Sequence, residues 1–178
     1  HGIPEDLFKP NEQKSPESQP FKGVVIANHF EKRDVFLGYN IFREVVKNEP
    51  IDVIGDNPGT PYHRNINKPE DLVAALNSYQ YYANFTQLSP LPLSLLEAAI
   101  CGLPIITTPK QQIPNVFTHG KNALFAENTK EFIEQINFLK DRPFERQKLG
   151  EAARDLMIEK FSIGNFVANW TKVLEENL

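Results

Sequence analysis

The sequence is short of several features that would each define a class of protein. It has a single cysteine, Cys101, so no internal disulfide can form, and this predicts a reducing, cytoplasmic location. No apolar run approaches the roughly 18 residues that a membrane-spanning helix needs. The net charge of -4 gives no sign of the basic surface with which proteins bind nucleic acid, so no nucleic-acid partner is predicted.

Motifs with strong signatures for nucleotide or metal binding are also missing. No strand-like run is followed by Gly-x-Gly-x-x-Gly, and there is no P-loop, which argues against nicotinamide and NTPase chemistry. The turn GDNPG at 55–59 lacks the glycine that would open the next helix. The loop histidines His29, His63 and His119 do not have the spacing of metal ligands, so we predict no metal and no cofactor.

What the sequence does contain is a regular alternation of short apolar runs and amphipathic segments. Continuous apolar runs of four to six residues are typical of strands buried on both faces, and they occur at 23–28, 51–54, 81–86, 103–108 and 122–125. Helical spacing of apolar residues occurs at 34–48, 69–79, 94–101, 129–141, 143–160 and 163–177. Asp34 can cap the helix over 34–48, and Asn128 can cap the helix over 129–141. This alternation predicts an α/β fold with a Rossmann-like parallel β-sheet flanked by helices.

The two ends of the chain differ from this middle part. Residues 1–20 hold four prolines and few hydrophobic residues, so we predict an extended linker outside the core. At the other end, Ser162 can cap a helix over 163–177 whose apolar residues form one stripe. The predicted domain is therefore 21–161, followed by an amphipathic C-terminal helix within 162–178.

Loops that follow the strands are the expected place for a ligand. In an open parallel sheet, ligands bind beyond the carboxyl ends of the strands. Four loops satisfy this condition, and all are rich in polar and turn residues: 28–33, 55–67, 87–94 and 108–114.

The segment 87–101 carries the strongest signal for an anion. Prolines stiffen its first half, and a helix then begins whose free amides, at Leu93, Ser94 and Leu95, suit a phosphate. Glu97 lies one turn inside this helix and has two interpretations. It can close a capping box with Ser94, or it can accept hydrogen bonds from a ribose diol.

Lys32 and Arg33 follow the first strand and offer positive charge near the same edge. They can bind a diphosphate, which arginine contacts in a bidentate manner. The alternative is a solvated basic pair at a helix start beside Glu31 and Asp34, since surface ion pairs are common and weak.

Three stretches of the chain resemble a known family. The stretch SLLEAAICGLPIITT…IPNVFTHGKNALF, between residues 94 and 125, resembles the C-terminal, donor-binding half of GT-B glycosyltransferases of the glycogen-synthase-like type, also called group 1. The opening HGIPEDLFKP is similar to the junction between the two halves of these enzymes, and the closing FSIGNFVANWTKVLEENL is similar to their terminal helix.

The resemblance implies roles for individual residues. It makes Glu97 a ribose ligand, because this residue matches the second glutamate of a Glu-x7-Glu motif, whereas Ser89 stands where the first glutamate would contact the donor sugar. Lys32 or Arg33 would take the place of a diphosphate-binding lysine. The predicted donor-binding residues are Glu97, Ser94, Leu93, Leu95, Ser89, Lys32, Arg33, Asn28, Asp56 and Asn57.

The function that the resemblance implies is donor binding by half of a retaining glycosyltransferase. The substrate would be a nucleotide-diphosphate sugar, with no metal and no catalytic residue predicted. An N-terminal acceptor-binding domain would be missing from this chain, which alone is expected to bind donor without turnover. Contact of the full-length protein with the cytoplasmic membrane face is left open. The alternative, which Ser89 favours, is a non-catalytic nucleotide- or sugar-binding module with the same fold.

Overall fold

A computed structural model describes residues 2–11 and 20–176 of the chain. Its centre is a five-stranded parallel sheet in the order β2-β1-β3-β4-β5. The strands are β1 Gly23–Ile26, β2 Ile51–Ile54, β3 Tyr81–Asn84, β4 Ile105–Thr107 and β5 Leu124–Phe125. The predicted α/β class and parallel sheet are confirmed.

Eight helices connect and cover these strands within the described part of the chain. They are α1 Asp34–Leu37, α2 Tyr39–Val45, α3 Pro69–Leu76, α4 Leu93–Ile100, α5 Ile113–Val116, α6 Thr129–Asp141, α7 Pro143–Phe161 and α8 Ile163–Glu176. The cap of α6 forms as its sequence predicts, because the Asn128 side chain accepts the Glu131 amide at 3.1 Å.

Each strand contributes to two separate hydrophobic cores, one on either face of the sheet. Val24, Tyr82 and Ile105 point to the face covered by α3, α4 and α7. Their neighbours in the sequence, Val25 and Ala83 among them, point to the opposite face, where α2 and α6 pack. Because both faces are covered, the strands are continuous apolar runs rather than alternating ones.

The helix predicted over 34–48 is broken at Gly38. Gly38 has a φ of 73°, and a Cβ there would lie 2.2 Å from the Phe85 carbonyl oxygen of the β3–α4 loop. Only glycine allows that loop to pass so close. Asp34, predicted to cap one long helix, instead accepts the Asn40 amide at 2.7 Å in the first turn of α2.

The N-terminal segment is not the free linker that its composition suggested. Ile3 and Phe8 are buried in the same core as α4 and α7. The Ile3 amide donates to the Phe161 carbonyl at 2.8 Å, and the Ile163 amide donates to the Ile3 carbonyl at 3.1 Å. Residues 2–8 therefore pack on the domain, while 1 and 12–19 of the predicted linker lie outside the described residues.

Helix α8 leaves most of its apolar stripe uncovered. Ser162 caps it by accepting the Asn165 amide at 3.3 Å, and none of the described residues of α8 is buried. Five large apolar side chains of its stripe are exposed, with Trp170 at 53%, whereas Phe166 is half-buried. Among the described residues, no helix is both long and apolar enough to cross a membrane.

The packing of α7 against the end of α4 generates the first prediction. A Cβ at Gly150 would lie 2.2 Å from the Gly102 carbonyl oxygen and 3.3 Å from the Pro104 ring. Gly150→Ala should therefore lower the free energy of unfolding by about 1–3 kcal/mol, as overpacking does, although alanine favours helices. Chemical denaturation measures the change.

Gly164 is the matched control, because it also lies in a helix but a Cβ there would meet nothing within 4 Å. Gly164→Ala should raise stability by roughly 0.5–1 kcal/mol from helix propensity alone. Equal and favourable effects at both positions would contradict the close contact between α7 and Gly102.

Candidate functional site

The strand order places a crevice at the carboxyl ends of β1 and β3. The chain leaves β1 towards β2 on one side and leaves β3 towards β4 on the other, so the two connections diverge. Such a switch point is where open α/β sheets bind ligands. The loops that flank it are 27–33 and 85–92.

Backbone hydrogen bonds hold these two loops together. The amides of Gln87 and Leu88 both donate to the Phe36 carbonyl of α1, at 2.8 and 3.2 Å. Helix α1, which directly follows Lys32 and Arg33, therefore lies against the loop that leads into α4. The two segments that carry the predicted charges and amides meet at one edge of the sheet.

Helix α4 begins without a side-chain cap, so the capping-box interpretation of Ser94 and Glu97 is wrong. The helix starts one residue earlier than predicted, at Leu93, with Pro92 in the N-cap position. The Ser94 hydroxyl instead lies 3.0 Å from the Tyr82 hydroxyl. That contact positions Ser94 on the sheet and leaves Glu97 without its expected bond.

Two of the three predicted amides remain available at this helix start. The amides of Leu93 and Ser94 precede the first intrahelical bond and have no acceptor among the described residues. The Leu95 amide donates to the Pro92 carbonyl at 3.1 Å, and its side chain is fully buried. Leu95 is therefore a core residue, and the predicted amide contact from it to an anion is already occupied.

Glu97 is a half-buried carboxylate without a partner. No hydrogen bond or ion pair joins its side chain to any described residue. Burial raises the pKa of Glu97 above its ordinary value of 4.5. Burial also raises the pKa of the neighbouring Tyr82 to about 12, and the charge of Glu97 adds to that shift. A carboxylate in this position destabilises the fold unless something binds it.

Lys32 and Arg33 are exposed and make no ion pair with the described residues. Asp34, one of the partners that a solvated basic pair would use, bonds to Asn40 instead. Both cations therefore stand unpaired at the carboxyl end of β1, where an anion can reach them.

Lys32 also borders a cleft of about 210 Å³ on the other side of β1. This cleft lies between the loops that follow β1 and β2, and none of its lining residues comes from α4. The lining residues are His29, Phe30, Glu31, Lys32, Asn57, Pro58, Gly59 and Thr60. The predicted site residues thus fall into two groups, with Ser89, Leu93, Ser94 and Glu97 at the crevice and Asn57 at the cleft.

The side chains of Asn28 and Asn57 bind the protein itself. Asn28 Oδ1 accepts the Asp56 amide at 2.8 Å. Asn57 is buried, and its Oδ1 accepts the Phe30 amide while its Nδ2 donates to the Ala27 carbonyl, both at 2.8 Å. Both Nδ2 hydrogens of Asn57 are used, because the second one donates to the Tyr62 carbonyl at 3.4 Å, so only one acceptor position on the buried Oδ1 is left for a ligand.

Asp56 faces two histidines. One carboxylate oxygen lies 3.4 Å from His63 Nδ1, and the other lies 4.0 Å from His29 Nε2. The three side chains are about half exposed. Among the described residues, no group of three or more histidine, cysteine, aspartate or glutamate side chains is arranged to hold a metal ion.

Two features of the site were missed from the sequence. His29 adopts a φ of 52°, which is uncommon for a residue other than glycine and marks a loop held in place by its surroundings. Tyr82 was counted only as a strand residue, although its hydroxyl positions Ser94. A tyrosine inside a buried run needs a partner for its hydroxyl, and that need was the available signal.

Comparisons with known proteins agree with this fold. The sequence model of a family described as glycosyl transferase-like matches residues 33–172. Spore coat protein SA of Bacillus subtilis is 31% identical over 114 residues, which cover 62% of this chain and 30% of that protein.

Solved structures give the same picture at lower identity. The C-terminal domain of LpcC, a glycosyl transferase group 1 family protein of Francisella tularensis, superposes with a TM-score of 0.71 at 16% identity, covering 91% of this chain and all of that domain. HepE of Anabaena, solved in complex with UDP, superposes with a TM-score of 0.80 at 12% identity. That match covers 98% of this chain and 56% of HepE.

The unpartnered carboxylate predicts how stability depends on pH. Because the folded-state pKa of Glu97 is raised, the folded state favours the protonated form, and that advantage is lost as pH rises through the folded pKa. Glu97→Gln should therefore raise the free energy of unfolding at pH 7. The gain should shrink with acidification and vanish below the ordinary carboxyl value of 4.5.

Glu159→Gln is the matched control, since Glu159 is an exposed helical glutamate on α7. Its effect on stability should be small and show no comparable pH dependence. Urea denaturation of the three proteins between acidic and neutral pH measures the difference, and a destabilised Glu97→Gln protein at pH 7 would mean that the carboxylate has a partner.

Proposed function

The chain belongs to the glycosyl transferase-like family, and on that premise we propose that it is the nucleotide-sugar donor-binding domain of a glycosyltransferase. Its fold is that of the C-terminal half of GT-B glycosyltransferases, as the resemblance predicted. The chain spans 30% of the spore coat relative and 56% of HepE. An acceptor-binding domain in the remainder, an unidentified acceptor and a retaining outcome are all part of the proposal.

The observation that carries the proposal is Glu97, a half-buried carboxylate that lies just inside an uncapped helix start and has no partner among residues 2–11 and 20–176. Hydroxyl groups of a ribose are suitable donors to such a carboxylate, and binding them would satisfy a charge that the fold leaves unmatched. The amides of Leu93 and Ser94 lie one turn away and suit the adjoining phosphate.

The unpaired cations supply the other requirement of glycosyl transfer. When the bond between the sugar and the phosphate breaks, the nucleoside diphosphate leaves with added negative charge. Lys32, Arg33 and the positive end of α4 would stabilise that charge, and no further cofactor is proposed. We assign no catalytic base to this chain, so the domain alone would bind the donor without turning it over.

A second candidate is a non-catalytic module that binds a nucleotide or sugar. Ser89 favours it, because the family resemblance places a glutamate that contacts the donor sugar at this position. Ser89 is half-buried in the loop before α4, and its hydroxyl provides no negative charge there. The two candidates differ in whether the full-length protein transfers a sugar.

The proposal predicts how two sets of variants change nucleotide affinity. Glu97→Gln should weaken binding of a nucleoside diphosphate about tenfold or more, since a hydrogen bond to a charged group contributes about 1.5–3 kcal/mol. Lys32→Ala with Arg33→Ala should weaken the diphosphate but leave the plain nucleoside unaffected, because their proposed partner is phosphate. Calorimetric titration of UDP, GDP, ADP and their nucleosides measures both effects.

Lys140→Ala with Lys148→Ala is the matched control, because both lysines are exposed and lie on α6 and α7 away from the crevice. This pair should leave diphosphate affinity unchanged. Wild-type protein that binds none of the three diphosphates at millimolar concentration would contradict the donor site and favour the non-catalytic module. Binding by the chain together with sugar transfer by the full-length protein would select the enzyme over the module.

A further inference from the structure

A single buried side chain joins the loops that follow β1 and β2. Asn57 Oδ1 accepts the Phe30 amide at 2.8 Å, and Asn57 Nδ2 donates to the carbonyls of Ala27 at 2.8 Å and Tyr62 at 3.4 Å. The Asn57 backbone amide donates to His63 Nδ1 at 3.1 Å. We call this set of four hydrogen bonds the Asn57 latch.

The latch satisfies backbone groups that have no strand partner. Strand pairing of β1 with β2 ends at Ile26 and Ile54. Two more backbone bonds follow, from the Ala27 amide to the Ile54 carbonyl at 2.9 Å and from the His29 amide to the Asp56 carbonyl at 2.8 Å. Phe30 lies beyond this point with 2% of its surface exposed, so its amide needs an acceptor from elsewhere. Asn57 provides it.

The same loop contains the strained His29. Its φ of 52° is unfavourable for a residue with a Cβ, and such geometry persists where the surroundings fix it. The His29 amide donates to the Asp56 carbonyl at 2.8 Å, next to the Asn57 latch. Both loops are therefore fixed relative to each other immediately before Lys32 and Arg33.

We propose that Asn57 is a positioning residue, which holds Lys32 and Arg33 at the sheet edge for a diphosphate. It does so by fixing the Phe30 amide, which lies two residues before Lys32. The inference rests on the proposed function of this edge as a donor site. It replaces the direct ligand contact that the sequence suggested for Asn57 with an indirect one.

The latch lies outside the elements that hold the sheet together. It joins loop residues 27–30 to 57–63, whereas the register of β1 and β2 depends on their own backbone bonds. On the other flank, α1 is fixed independently through the Phe36 carbonyl. Loss of the latch should therefore loosen 28–33 and leave the sheet formed.

Removing the latch should affect phosphate binding specifically. Asn57→Ala should weaken binding of inorganic pyrophosphate about tenfold, the scale of one lost charge-assisted hydrogen bond, while affinity for the nucleoside stays the same. Asn57→Asp keeps an acceptor for the Phe30 amide but cannot donate to Ala27, so it should lie between the wild type and Asn57→Ala. Calorimetry supplies the affinities and melting curves supply the stability.

Asn77→Ala is the matched control. Asn77 makes a similar set of bonds, accepting the Asn11 amide at 2.9 Å and donating to the Lys9 and Val73 carbonyls at 3.0 Å. It is the C-cap of α3, however, and its bonds join that helix to the N-terminal segment. The Asn77→Ala substitution should lower the melting temperature without changing pyrophosphate affinity. Equal losses of affinity in Asn57→Ala and Asn77→Ala would reduce Asn57 to a structural role.

A double-mutant cycle tests whether Asn57 acts through the cations. In protein that already carries Lys32→Ala and Arg33→Ala, Asn57→Ala should have no further effect on pyrophosphate binding. Full additivity of the two effects would overturn the proposal.

Backbone amide NMR without ligand separates failure of this inference from failure of the proposed function. In Asn57→Ala, the signals of residues 29–33 should shift and broaden, whereas those of β1 and β2 should stay in place. Unchanged signals at 29–33 would overturn the latch itself. If the wild type binds no pyrophosphate but the signals of Asn57→Ala still shift, the donor site is contradicted. The Asn57 latch would then be confirmed as a set of bonds that fixes the loop.

Discussion

The structure depends on a parallel sheet that is covered by helices on both faces. With no face open to water, the strand interiors must be apolar, and polar side chains concentrate where the strands end. The strand order then makes the connections diverge between β1 and β3. Burial and connectivity together leave one edge where charged groups, free amides and solvent meet, and the candidate site lies there.

The Tyr81 hydroxyl and the Glu97 carboxylate both lack a hydrogen-bond partner among the described residues, but only one of them can be reached by a ligand. The Tyr81 hydroxyl is buried without a hydrogen-bond partner in the described part of the chain, and burial raises the pKa of Tyr81 well above the usual range. Gly23 and Phe21 close off its surroundings, so no ligand can reach it. Glu97 is also unmatched but remains partly open at the carboxyl edge. Only the second group can gain stability by binding a ligand.

The site has two parts because the loop after β1 contributes to both sides of its strand. Arg33 leads into α1, which lies against the loop before α4, while His29, Phe30 and Lys32 line the cleft towards β2. The Asn57 latch fixes this shared loop from the β2 side, and α1 fixes it from the β3 side. A ligand that touches either part therefore meets a loop whose course is set by both neighbours, which favours a preorganised site over one that forms on binding.

Local patterns in the chain were enough to predict most of the elements. The apolar runs placed all five strands, and the Asn128 and Ser162 caps formed as predicted, because each signal lies within a few residues of the element it starts. The break at Gly38 was missed, since its cause is the Phe85 carbonyl of a distant loop. The buried Ile3 was missed for the same reason, as its partner is Phe161.

The features of the candidate site also differ in whether a local pattern or a distant contact determines them. The sequence alone determined which residue types stand at the strand ends, Glu97 and the Lys32–Arg33 pair above all, and the family to which the chain belongs. Tertiary structure decided what each side chain does there. The Tyr82 hydroxyl bonds to the Ser94 hydroxyl, 12 residues away in the sequence, and the Phe30 amide donates to the Asn57 side chain, 27 residues away. Hydrogen bonds between segments so far apart depend on how the strands are arranged, and no local pattern of residues encodes them.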